Sequence, residues 1–136
     1  MFHESNVIYT YDGSYDGVLC CVFHAFEKKE RPLAILPEET LQPTLCEVIP
    51  IETDLHRANR VAAVLEPKIS RRAAETVQAL YLCAVRDKEL LMLDFIRLGL
   101  ETGRSVTTML GNETVAAVAQ AVKHLYKEAQ NYKGFL

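Results

Sequence analysis

Asn6-Val7-Ile8-Tyr9-Thr10-Tyr11-Asp12-Gly13-Ser14-Tyr15-Asp16-Gly17-Val18-Leu19 is the stretch on which the fold turns. Residues 6–11 are rich in β-branched and aromatic side chains and read as a strand. Asp12-Gly13 supplies the turn chemistry that stops it. Ser14 is placed to cap a helix, because its hydroxyl can accept from an amide of the first turn. Asp16, in that turn, suits the positive end of the helix dipole. Val18, Leu19, Val22, Phe23 and Phe26 follow at helical spacing and define one apolar face. Turn-making accounts for Asp12, Gly13 and Ser14 but not for Gly17. Inside a helix glycine costs about 1 kcal/mol relative to alanine, so Gly17 points to the close approach of another backbone or a ligand.

Working outward, the first helix runs out in Glu27-Lys28-Lys29-Glu30-Arg31 and must stop near Pro32. Leu33 to Pro43 carries two prolines and reads as irregular, with a short extended piece at Ala34-Ile35-Leu36. Cys46-Glu47-Val48-Ile49-Pro50-Ile51 reads as a second strand, whose proline argues for an edge or a strand end. Two strands need a helix packed on them, and the first helix is the partner. From Thr53 the chain turns helical. Thr53 or Asp54 caps a helix with Leu55, Ala58, Ala62 and Leu65 on one stripe, ended or kinked by Pro67. Ser70 caps the next, with Ala73, Ala74, Val77, Leu80, Tyr81 and Ala84 inward. Asp87 caps a fourth, 88–101, apolar nearly all round and therefore central; Gly103 fits its stop. After Gly111-Asn112 a last helix covers 113–132, with Val115, Val118, Ala119, Val122, Leu125, Tyr126 and Ala129 on one face. The expected class is α+β: mostly helical, about five helices, with a small two-stranded β element near the N-terminus. With no repeat, low-complexity tract or linker we expect 1–136 to be one domain, and the apolar ending Gly134-Phe135-Leu136 leads us to expect that it is the N-terminal part of a longer chain.

A chain of 136 residues is long enough for a real core. Its 49% apolar and 24% charged residues are ordinary for a globular protein. No apolar run approaches the roughly 20 residues needed to span a bilayer, and Met1-Phe2-His3-Glu4-Ser5 lacks the basic start of a signal peptide. We therefore expect a cytoplasmic protein with no membrane partner. The net charge of −3 is uneven. Residues 1–54 hold three Lys and Arg against ten Asp and Glu, whereas 55–136 hold twelve against eight. That asymmetry is compatible with binding a polyanion through the second part.

Cys20, Cys21, Cys46 and Cys83 form no CxxC pair and read as buried thiols rather than zinc ligands. His3, His24, His56 and His124 show no HxxxH spacing, so no metal and no cofactor are expected. Cys20 or Cys21 could meet a histidine in space, with His24 one helical turn away, but packing on an apolar helix is the simpler reading. Nucleotide motifs of the GxxxxGK[ST] and GxGxxG types are absent. Asp94 and Arg97, at i and i+3, read as an ion network with each other or with Arg86, or as the seat of a functional carboxylate. Arg57, Arg60, Lys68, Arg71 and Arg72 fall within sixteen residues, opposed only by Glu66. Arginine fits phosphate oxygens in a forked geometry, and helix starts offer free amides, so this cluster is the candidate nucleic-acid surface. No aromatic residue interleaves with it, so no base-stacking surface for single strands is indicated.

Three stretches carry a resemblance. They are Tyr11-Asp12-Gly13-Ser14-Tyr15-Asp16-Gly17-Val18-Leu19, then Asp94-Phe95-Ile96-Arg97-Leu98-Gly99-Leu100, then Glu128-Ala129-Gln130-Asn131-Tyr132-Lys133-Gly134-Phe135-Leu136. In order and spacing, along essentially the whole chain, they resemble the bacterial family called "probable DNA metabolism protein" (domain of unknown function 4130). The first stretch is fairly specific, the other two less so. The resemblance implies a DNA repair or modification context, a radical-SAM partner protein, fusion in some members to a uracil-DNA glycosylase-like domain, and continuation past Gly-Phe-Leu. The family pattern often has Glu at the position of Asp16 and His at that of Gln130. The first change keeps the carboxylate; the second removes a titratable group and with it a catalytic role there. The iron–sulfur cysteine motif of a radical-SAM enzyme is absent, so such chemistry belongs to a partner. We read the chain first as a non-catalytic accessory module, contacting phosphate through residues 57–72 and using Tyr11, Asp12, Gly13, Ser14 and Gly17 as a structural or docking turn. The alternative is a nucleic-acid- or nucleotide-processing enzyme with Asp12, Asp16, Asp94 or His24 in its site. In that case these groups must converge on one pocket. A third is a protein–protein adaptor built on the apolar fourth helix and C-terminal end.

Overall fold

The computed structural model describes residues 2–135, with side chains described through residue 131. The apolar ending at 134–136 thus lies outside the residues whose side chains are described. The chain is α+β and mostly helical. It forms two compact units, 1–64 and 65–136.

The first unit is built on the opening strand–turn–helix. Strands β1 (His3–Glu4) and β2 (Val7–Tyr11) lead into helix α1 (Tyr15–Lys28), and β3 (Glu30–Arg31), β4 (Ala34–Pro37) and β5 (Glu47–Pro50) follow. β2 lies between β4 and β5 and is parallel to both, while β1 and β3 form a separate two-residue parallel pair. The β element is thus one strand wider than the expected pair, because the extended piece at 34–36, continued through Pro37, aligns with 8–11. Burial of Ile8, Tyr9 and Tyr11 on β2 and of Val18, Leu19, Val22 and Ala25 on α1 holds the helix to the sheet. Pro50 lies at the end of an edge strand, as its missing donor requires. α1 ends at Lys29, which takes the left-handed conformation (φ 52°) and returns its amide to the Ala25 and Phe26 carbonyls. This is three residues short of Pro32, and the saved residues make β3.

Helix α2 (Leu55–Lys68) runs across the division between the units. Asp54 caps it, its Oδ1 accepting from the amides of His56 at 2.9 Å and Arg57 at 3.3 Å. The buried stripe is Ala58, Val61 and Leu65, whereas Leu55 and Ala62 face water. Both stripes satisfy helical spacing, and burial of the larger Val61 selects the observed one.

The second unit is helical. α3 (Arg71–Leu82) is capped by Ser70, whose hydroxyl accepts from the Ala73 amide at 3.0 Å. It buries Ala73, Val77, Ala79 and Leu80 but leaves Ala84 exposed beyond its end. α4 (Lys88–Thr102) packs against α3, against the 3-10 segment Gly103–Thr108 and against α5 (Glu113–Phe135), and so occupies the centre of the unit. Leu90, Met92, Leu93, Phe95 and Ile96 are buried on it. Asp87 does not cap α4 through its side chain. It adopts a left-handed backbone (φ 56°) with no capping hydrogen bond, and its carboxylate lies 4.0 Å from Arg86. Gly103 (φ 71°) ends the helix, its amide bonded to the Gly99 carbonyl. Asn112 caps α5, with Oδ1 accepting from Thr114 at 2.9 Å and Val115 at 3.3 Å. On α5, Val115, Val118 and Ala121 are buried, but Ala119 and Ala129 are exposed and Tyr126 is 59% exposed. Among the described residues no helix is long and apolar enough to cross a membrane.

Candidate functional site

In the first unit the strand order creates a natural opening. The chain leaves β2, returns at β4 on one flank and comes back at β5 on the other. The loops that follow the C-terminal ends of β2 and β5, residues 12–14 and 51–54, are therefore neighbours. Open parallel sheets take ligands at such switch points.

The first loop is a closed set of bonds. Asp12 Oδ1 accepts from the Ser14 amide at 2.9 Å and from its hydroxyl at 2.6 Å, and Oδ2 accepts from the Thr53 hydroxyl at 2.7 Å. Ser14 Oγ in turn accepts from the Gly17 amide at 2.9 Å. These donors, the Ser14 hydroxyl first, hold the Asp12 carboxyl below its ordinary range. Gly13 (φ 89°) makes the turn. A Cβ on Gly17 would meet Asp12 Oδ1 at 2.5 Å, Tyr11 Cδ2 at 2.9 Å and Ser14 Oγ at 3.1 Å. The close approach signalled by that glycine is thus made by side chains of its own motif, Tyr11 among them. Asp16 stands in the first turn of α1.

Beside this loop lies a cleft of about 560 Å³ lined by Cys20, His24, Arg57 and the segment 49–54. It is lined by neither Asp12 nor Asp16, and Asp94 belongs to the second unit. The four candidate groups of an enzyme site therefore do not gather in this cleft; only His24 lines it. The His24 ring stands edge-on to Tyr9, 5.1 Å between centroids, and burial keeps its pKa below the ordinary value, so the imidazole is neutral at pH 7. The Tyr9 hydroxyl donates to Glu30 at 2.5 Å, and burial followed by that carboxylate raises its pKa. Cys20 Sγ sits between the Asp54 carbonyl (3.2 Å) and amide (3.3 Å); among the described residues no hydrogen bond joins it to His24. All four cysteines are free, and among the described residues no group of three His, Cys, Asp or Glu side chains could hold a metal ion.

The basic cluster is distributed over both units. Arg57 and Arg60 stand on α2 within the first, Lys68, Arg71 and Arg72 within the second, and all five are exposed. Arg57 lies 3.9 Å from Asp54. The guanidinium carbons of Arg57 and Arg60 lie 5.1 and 5.5 Å from the centroid of Phe23. Phe23 is the aromatic partner that the cluster lacks in its own stretch of sequence. It reads there as one more apolar residue of α1, and only the fold brings it under α2. Thr53 and the 49–54 segment were likewise invisible as site residues, since nothing local links them to Asp12 or Cys20.

The second unit has a groove of about 380 Å³ with apolar lining from Phe95, Val115, Val118, Val122 and Tyr126 and with Arg72 and Lys123 beside it. No protein-family model matches the chain, and neither the curated proteins nor the solved structures gave a match. The family resemblance rests on its three sequence stretches alone.

Proposed function

We propose that this chain is a non-catalytic, nucleic-acid-binding accessory module that acts with a DNA-processing partner. One observation carries the reading: Arg60, Lys68, Arg71 and Arg72 are exposed and have no carboxylate partner among the described residues. Unpaired guanidinium groups keep their full capacity for phosphate oxygens. The acidic bias of residues 1–54 leaves the chain little non-specific attraction to polyanions elsewhere. Asp12, the leading carboxylate of an enzymatic reading, accepts three hydrogen bonds and is a poor proton acceptor at neutral pH, so a catalytic role for the turn is disfavoured. The DNA repair setting and the radical-SAM or glycosylase-like partner come from the family resemblance, and the cytoplasmic location from the amino-terminal sequence and the lack of a long apolar run. The apolar groove of the second unit, with its 59% exposed Tyr126, supports an adaptor as the second reading.

The test is fluorescence anisotropy of labelled DNA against the whole chain and against the variant R57E/R60E/R71E/R72E. We expect binding at low salt by the unaltered chain and a loss of at least tenfold in the variant. An unchanged affinity in the variant ends the phosphate role. Absence of binding in both leaves the adaptor.

A further inference from the structure

Resting on that reading, we propose that Phe23, His24, Glu52, Arg57 and Arg60 form a subsite for one unpaired nucleotide, its phosphate on the two guanidinium groups and its base in the adjoining cleft. The nucleic acid bound by the first unit is then single-stranded, and bases carrying an exocyclic amine are preferred.

The Phe23 ring holds two arginines from successive turns of one helix face, at 5.1 and 5.5 Å. A long side chain resting on a ring loses less freedom when it binds, so the pair is preorganised for a phosphate. Guanidinium groups held over an aromatic ring also offer a surface on which unpaired bases stack. Arg57 belongs at once to this platform and to the wall of the cleft. A phosphate held there leaves its own base at the mouth of an opening of about 560 Å³, within the roughly 300–1,000 Å³ usual for small-ligand sites.

The walls suit a base. Ile49, Pro50 and Ile51 give an apolar side and His24 a neutral ring with one donor and one acceptor. Asp54 accepts from the amides of His56 and Arg57 at Oδ1 and has the Arg57 side chain 3.9 Å from Oδ2, whereas exposed Glu52 has no such partner among the described residues. A carboxylate accepts from the amino group of cytosine, adenine or guanine and repels the carbonyl oxygens that thymine and uracil present. A base inside a duplex cannot enter such a cleft without leaving its stack. The aromatic ring comes from α1 and the arginines from α2, so the subsite cannot be read along the sequence.

The experiment measures anisotropy of labelled oligo-dC, oligo-dT and a duplex of equal length with the whole chain at neutral pH. We expect oligo-dC to bind about tenfold more tightly than oligo-dT or the duplex, the span of one stacked and paired base. Phe23→Leu, which keeps apolar volume, should remove most of that advantage. Glu52→Gln, at an exposed position with no demand on folding, should bring oligo-dC and oligo-dT together. Equal binding of all three probes by the unaltered chain overturns this subsite while leaving phosphate binding intact. Indifference of the dC/dT ratio to Glu52→Gln overturns it even if Phe23→Leu fails to fold. Failure of every probe to bind overturns the proposed function itself.

Discussion

The two units of this chain solve the same problem with different forces. In residues 1–64 the loops that matter are held by directional polar bonds: Asp12 to Ser14 and Thr53, Cys20 to Asp54, Tyr9 to Glu30. In residues 65–136 helices α3, α4 and α5 and a 3-10 segment pack around Leu93, Phe95, Ile96 and Val106, and the side-chain hydrogen bonds of Ser70, Thr76, Thr102, Ser105, Thr108 and Asn112 stay within their own helix, turn or cap. The difference shows in the cavities. The first unit has a cleft with an imidazole, a thiol, carboxylates and a guanidinium; the second has a groove in which Phe95, Val115, Val118, Val122 and Tyr126 share the lining with Arg72, Glu75 and Lys123. A scaffold of directional bonds can place a few polar groups around a small ligand, whereas a scaffold of non-directional packing offers surface.

The largest effect should come from the packed unit. Phe95→Ala empties a 1% exposed position in the second core and should cost about 3–5 kcal/mol in urea unfolding. Native-state hydrogen exchange should show the loss in α3, α4 and α5. A loss under 1 kcal/mol would break the contrast from that side. Next comes Gly17→Ala, whose Cβ has Asp12 Oδ1 only 2.5 Å away. It should cost about 2 kcal/mol and open the 12–17 loop. Gly99→Ala sharpens the comparison, because there the new atom meets the side chain of Ile69, with its terminal Cδ1 at 2.7 Å. That end can swing away, and the cost should stay below about 1.5 kcal/mol. Ser14→Ala and Ser70→Ala both remove a cap worth about 1 kcal/mol. Ser14 also donates to Asp12 at 2.6 Å, so it should be the costlier of the two in thermal melts.

The smallest effect is on pH. Asp12 and His24, both in the first unit, have folded-state pKa values below the unfolded ones. The unfolded chain then binds more protons between each pair of values, and stability rises with pH there. The Asp12 contribution is present above the unfolded value of about 3.9, and is lost as pH falls through the folded one. The His24 penalty sets in as pH falls below about 6.5. Unfolding followed from pH 8 to 5 should show a shallow decline that His24→Gln flattens. A decline unchanged in that variant would assign it elsewhere.

How much of this was readable in advance divides along the same line. The strand at 6–11, the Ser14 and Ser70 caps and the central place of α4 depend on residues within one or two turns, and local chemistry settles them. The two-residue strands at 3–4 and 30–31 were not legible, since their pairing is long-range and their residues are charged or polar. The stripe of α2 was misplaced because 55-58-62-65 and 58-61-65 fit a helix equally well. Asp87 looked like a cap by residue type, but its backbone is left-handed. For the site, the basic residues were visible and their Phe23 support was not. Gly17 announced a close contact without saying that Asp12 and Ser14 make it.

The most direct test of the central claim is the salt dependence of single-stranded DNA binding by the whole chain. With the five basic residues on phosphates, log Kobs against log salt should fall with a slope of about −3.5, and removing Arg60 alone should make it shallower by about 0.7. A slope near zero, or one indifferent to Arg60→Gln, would contradict the account.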